Sequence, residues 1–165
     1  MIVFIALILV AAVASAVIIQ TAEKLQQTAQ QTGDDTASEQ GTKIVLLSAV
    51  ITATATEEVT LTFELGAGSA TIANTAASWN VVCANGAGTA IATDDDTFAA
   101  AVQVGAGAAA ATLIPGTPYE LPILMTNCAL ATTTNYNLVI AVQGGGTTYE
   151  VLSTGLSIAD GEAVI

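Results

Sequence analysis

The sequence predicts an α+β chain in which a long hydrophobic N-terminal α-helix is followed by an antiparallel β-sandwich or barrel. Three observations carry that prediction. The first nineteen residues, MIVFIALILVAAVASAVII, contain one polar side chain, Ser15. The next fourteen, QTAEKLQQTAQQTG, keep a helical stripe through Ala22, Leu25 and Ala29. From residue 42 onward, short runs rich in β-branched and aromatic residues are separated by Gly, Pro, Asn and Thr clusters. The expected organisation is an assembly helix over 1–33, a linker over 34–41 and a β-rich head over 42–165.

The helix comes first. A helix that is apolar all round must be covered on all sides, by lipid or by protein. Residues 2–19 would span about 27 Å at 1.5 Å per residue, long enough to cross a bilayer core. Ala14-Ser15-Ala16 fits the cleavage pattern of a secretory signal, but the run lacks a cationic start and the helical pattern continues beyond it. A plain single-span anchor would carry Lys or Arg on its cytoplasmic side, and none precedes this run. The pattern fits better with a helix that packs against copies of itself. Ala12 and Ala16, like Ala11 and Ser15, sit four apart, the small-residue spacing that lets helix backbones approach closely. Ile2, Phe4, Ile5, Leu7, Ile8 and Leu9 fill the first half with bulk, and Ile19 and Leu25 extend the apolar surface. With Ala12 and Ala16, these are the candidate packing residues. Gln26, Gln27, Gln30 and Gln31 can hydrogen-bond between neighbouring helices without bringing like charges together. Gly33 is the expected stop, giving a helix of about 48 Å.

Charge excludes several functions. The chain has fourteen acidic residues against two lysines, Lys24 and Lys43, with no Arg and no His, for a net charge of −12. All the acids except Glu23 lie at or beyond Asp34. Nucleic-acid binding needs cations to displace counterions from phosphates, and this chain has almost none. Without His or Arg it lacks the usual general base and oxyanion clamps, and no phosphate-binding GxxxxGK[ST] run occurs. No enzyme and no cofactor is expected. The acidity suits a saline or otherwise harsh external medium, or equally serves to keep the chain soluble.

Strand-like runs follow at 42–54, 57–65, 78–83, 97–104, 119–125, 136–143, 147–154 and 156–159. In 57–65, Val59, Leu61, Phe63 and Leu65 alternate with polar residues, the two-residue period of a half-buried strand. Seven or eight such strands with regular turn signals predict an antiparallel sandwich or barrel, Ig-like in general shape.

The run IVFIALILVAAVASAVIIQTAEKLQQTAQQTG resembles the N-terminal region of the archaellins, the archaeal flagellins of the type IV pilin-like superfamily. LTFELGAGSATIANTAASW and LIPGTPYELPILM are similar to head segments of that family, although Thr71 and Ala73 stand where the family often has Pro and Asp. The cationic leader of the family's precursors is missing, which fits a processed chain. The glutamate that bacterial type IV pilins carry near their mature start is also missing, because positions 4–6 read Phe-Ile-Ala. The resemblance implies a subunit of the archaellum, a helical polymer that turns as a swimming propeller. It further implies a membrane location before assembly, an assembly platform and a motor ATPase. An archaeal adhesion pilin and a monomeric membrane-anchored surface domain are the alternatives.

Single features complete the reading. Cys83 and Cys128 lie at strand ends, and in an external protein they are expected to form a disulfide; two buried free thiols are the alternative. Asp94, Asp95 and Asp96 offer hard oxygen ligands for Ca²⁺, but the run lacks the alternation and glycine of an EF-hand, so a solvated acidic loop is preferred. No Asn-x-Ser/Thr sequon occurs, so any sugar is expected on oxygen, with Thr132, Thr133 and Thr134 as candidates. Thr is also a good strand former.

Overall fold

The computed structural model describes residues 1–84 and 91–164, and for residues 38–40 the backbone alone. The chain divides into two compact units, residues 1–37 and 38–165.

The first unit is built from one helix, α1, which spans Ile2–Gly41 and is 40 residues long, or about 60 Å. It passes through the expected stop at Gly33 and takes up the segment 34–41 expected to be a linker. The reason is local. Gly33 does not take the left-handed conformation that ends helices, and a single helical glycine costs only about 1 kcal/mol. The hydroxyls of Thr28, Thr32 and Thr36 each donate to the carbonyl one turn earlier, at 2.8–2.9 Å. Each hydroxyl thus shares a carbonyl that already accepts a helical N–H, an arrangement that a continuing helix accommodates at slight cost. The helix ends at Gly41, whose carbonyl accepts a bond from Ser69 Oγ at 2.9 Å.

The second unit is a two-layer sandwich. Its strands are β1 (Ile44–Ala53), β2 (Glu58–Leu65), β3 (Ile72–Ala73), β4 (Ala77–Ala84), β5 (Ile91–Thr97), β6 (Val102–Gln103), β7 (Thr112–Leu113), β8 (Tyr119–Leu124), β9 (Asn135–Val142) and β10 (Thr147–Ser153). One sheet has the order β1-β2-β8-β6, the other β10-β9-β4-β5, and β3 pairs with β7 in a small ribbon. Every pairing is antiparallel. The inward residues of the two layers form a single apolar cluster. At its centre the Phe63 ring meets Phe98 edge-on with centroids 4.8 Å apart and stacks on Tyr119 at 5.8 Å.

Three strand expectations need correction. Residues 97–104 are not one strand. Thr97 ends β5, Phe98–Ala100 form a 3₁₀ turn because Phe98 turns inward to full burial, and Val102–Gln103 pair separately with β8. Conversely, the acidic run read as a loop lies in β5, paired along its length with β4. Residues 156–159 form no strand. The chain turns at Gly161 (φ +91°) and sends Val164 between the two layers. There its N–H donates to the Ala49 carbonyl at 2.9 Å, and its own carbonyl accepts from the Ser153 N–H at 2.7 Å. This segment covers part of the edge of β1, which would otherwise offer unpaired backbone groups to another chain.

Candidate functional site

The helix carries the feature that most needs explanation. Every residue from 1 to 37 is exposed within the chain. Phe4 is 75 % exposed, Leu7 64 %, Ile8 63 % and Leu9 61 %. Soluble proteins seldom leave more than a few hundred Å² of contiguous apolar surface open, so this surface requires an apolar neighbour. The helix Ile2–Ala37 is long and apolar enough to cross a membrane, with a mean hydropathy of 3.2 in its most apolar window and none of that window buried. Ile2, Ile5, Ile19 and Leu25 are all exposed as well, as are Ala12 and Ala16.

The few polar groups of the apolar half are already satisfied. Ser15 Oγ donates to the Ala11 carbonyl at 2.8 Å, and Thr21 Oγ1 bonds to the carbonyls of Val17 and Ile18 at 3.0 and 2.9 Å. Such back-bonding leaves no free hydroxyl donor to lose when the helix enters an apolar setting.

In the second unit, Cys83 on β4 and Cys128 after β8 are joined by a disulfide, with Cα atoms 5.7 Å apart. Asp94 lies against this bridge and is 6 % exposed. Its carboxylate accepts from Thr126 Oγ1 (3.1 Å), Asn127 N (2.9 Å), Asn127 Nδ2 (2.8 Å) and Cys128 N (2.8 Å). The lone pairs that a cation would use are therefore occupied by the protein's own donors. Asp95 is exposed on the outer side of β5, opposite Asn80, and Asp96 bonds the N–H of Thr97 at 2.7 Å. A cavity of about 410 Å³ opens beside these carboxylates, walled by Trp79, Leu121 and Pro122. Among the described residues, no three acidic, Cys or His groups converge in a way that could hold a metal ion.

Thr132 and Thr133 are exposed and Thr134 is half-buried. Thr133 adopts φ +53°, a conformation unusual for a β-branched residue. The backbone of Thr134 is pinned by Thr154, whose N–H and Oγ1 both bond the Thr134 carbonyl at 3.0 Å. Beside this turn, Tyr136 is 1 % exposed. Its hydroxyl donates to the Ala129 carbonyl and accepts from the Ala131 N–H, both at 2.8 Å. Burial pushes the phenol pKa above its usual 10.0, outweighing the opposing hydrogen bond from Ala131.

A profile of archaeal-type flagellins matches residues 1–151, which include the whole helix and nearly all of the sandwich. The chain belongs to the archaeal-type flagellin family.

As an archaellin it is a structural filament protein, a subunit of the archaeal flagellum. The fold agrees. The solved structure of the archaeal flagellum of Methanospirillum hungatei strain JF1 superposes with a TM-score of 0.72 over 99 % of this chain and 96 % of that one, at 16 % identity. Archaeal flagellin FlaB1 from Methanocaldococcus jannaschii matches 74 % of this chain and 95 % of its own with a TM-score of 0.53 and 10 % identity. No curated protein matches the sequence. In this archaellin, sequence reasoning found the helix and both cysteines. It missed the structural roles of Asp94 and Ser69, which depend on partners remote in sequence, and that of Tyr136, whose hydroxyl is held by the backbone of Ala129 and Ala131 in the preceding turn.

Proposed function

We propose that this archaellin polymerises through its N-terminal helix, with the helices of many copies bundled on the filament axis and the acidic heads outside. The observation that carries the reading is the exposed apolar surface of α1, coupled to its small-residue spacing at Ala12 and Ala16. Ile2, Phe4, Ile5, Leu7, Ile8, Leu9, Ile19 and Leu25 form the contacts around those alanines. If each helix buries about 1,500 Å² of apolar surface, the gross gain over water is roughly 40 kcal/mol, an upper limit. Before assembly, the same helix lies in the cytoplasmic membrane. Lipid hides that surface already, so the net drive into the filament is far smaller and rests on packing. Extraction therefore calls for an assembly platform and a motor ATPase, and the filament acts as a passive propeller. A head-to-tail contact that does not close on itself yields the helical polymer.

Deleting the gene tests this. The expected outcome is loss of swimming and of extracellular filaments, with surface attachment retained. Loss of attachment with normal swimming would instead indicate an adhesive pilus, and an absence of fibres from wild-type cells would indicate a membrane-anchored surface domain.

A further inference from the structure

The two outer faces of the sandwich differ in charge, and strand register shows how. On the β1-β2-β8-β6 sheet, Glu58 and Glu64 point outward beside Thr60 and Thr62, and Glu120 stands opposite Thr62. On the β10-β9-β4-β5 sheet, one outward row runs Tyr149–Val139–Asn80–Asp95 and the next runs Val151–Asn137–Val82–Thr93. Among the described residues of this second face, Asp95 is the only charged group, and it sits on the edge strand. Tyr149 is 61 % and Val151 43 % exposed. The Tyr149 hydroxyl donates to Asn137 Oδ1 at 2.6 Å, so two of the polar groups here are already paired with each other. That pair loses less on desolvation than two free groups would, and an exposed tyrosine is a common interface anchor.

We infer that the outer face of the β10-β9-β4-β5 sheet packs against the head of a neighbouring copy of this chain in the filament. The inference rests on the filament reading above. Identical heads, each with the acids of a −12 chain, repel wherever those acids meet. Contact between copies is therefore favoured at a face from which charge has been withdrawn. The area is consistent with an auxiliary contact. Four strands about 4.8 Å apart and four outward positions about 6.8 Å apart give roughly 500 Å² per head. That is below the roughly 800 Å² per partner of a stable independent interface. Such a contact would hold only between heads already brought together by their helices.

The test uses full-length chains, in which the disulfide leaves an engineered cysteine as the one free thiol. Val151→Cys and Thr93→Cys place that thiol on the sparsely charged face; Glu120→Cys places it on the acidic face. Each is treated with a polyethylene-glycol maleimide as detergent-dispersed monomer and as purified filament. The expected result is labelling about tenfold or more slower in filaments at positions 151 and 93, where a packed contact excludes the reagent, and little change at 120. If Val151→Cys does not assemble, Thr93→Cys gives the same reading from the other edge. Filaments labelled at 151 or 93 as fast as monomers overturn this inference while leaving helix-driven assembly intact. Protection found on cells but absent from purified filaments also overturns it, pointing to another protein on that face. Wild-type chains that form no filament overturn the filament reading itself.

Discussion

Asp94 Oδ2 accepts a hydrogen bond from the backbone N–H of Cys128 at 2.8 Å, and Cys128 is the residue whose sulfur is bonded to Cys83. One buried carboxylate thus organises the turn that presents one half of the disulfide. The same carboxylate takes the N–H of Asn127 and the hydroxyl of Thr126. A segment with no strand partner of its own is thereby tied to β5.

Asp94→Ala should therefore destabilise the head by about 2–4 kcal/mol, because several buried donors lose their acceptor. Asp95→Ala, on the exposed side of the same strand, should change stability by less than about 0.5 kcal/mol. Chemical unfolding of the full chain in detergent, followed by the fluorescence of buried Trp79, would measure both. Equal effects from the two variants would contradict the role given to Asp94.

Reduction of the Cys83–Cys128 bridge, which closes a sequence separation of 45 residues, should lower stability by about 4 kcal/mol on the chain-entropy view. Cys83→Ala with Cys128→Ala should match the reduced protein in the same unfolding experiment. An unchanged midpoint on reduction would show that the bridge adds nothing to the folded head.

Tyr136 gives a pH signature. Burial holds its pKa above 10.0 in the folded chain, so folding favours the neutral phenol. Its contribution is fully present below about pH 10 and is lost as pH rises through the raised folded value. Tyr136→Phe should cost about 1–3 kcal/mol at neutral pH, because the Ala131 N–H and Ala129 carbonyl lose their partner. The variant should also show a shallower loss of stability on the alkaline side. Parallel alkaline profiles for variant and wild type would refute the assignment.

Ala12→Asp or Ala16→Asp should abolish filaments while leaving a folded head. A carboxylate at the centre of an apolar helix costs about 3 kcal/mol in lipid, and in a bundle of identical helices that cost recurs at every copy. Filament yield by sedimentation and circular dichroism of the dispersed chain would separate assembly from folding. Normal filaments from either variant would contradict close helix contact at the alanines.

Much of this architecture was legible in the sequence because its strongest signals are long or periodic. An unbroken apolar run cannot be mistaken for a surface helix, and the alternation of Val59, Leu61, Phe63 and Leu65 gives β2 its inward face directly. The helix end was not legible. Gly33 reads as a stop, but its backbone stays out of the left-handed conformation at a cost of only about 1 kcal/mol, and the helix runs on to Gly41. The strand β5 was hidden for a similar reason. Three successive aspartates have poor strand propensity, and the bonds from Thr126, Asn127 and Cys128 to Asp94 come from more than thirty residues away. Residues 97–104 misled in the opposite direction, since Phe98 looks like a strand residue but anchors a turn. The sparsely charged outer face appears only when the registers of β10, β9, β4 and β5 are set side by side.

Electron cryomicroscopy of filaments purified from cells expressing this chain tests the central claim most directly. The account predicts a column of axial helices with Ala12 and Ala16 at helix–helix contacts and the β-sandwiches outside it. A filament whose axis is built from sandwiches, or whose helices lie apart with their apolar surfaces open to solvent, would contradict it.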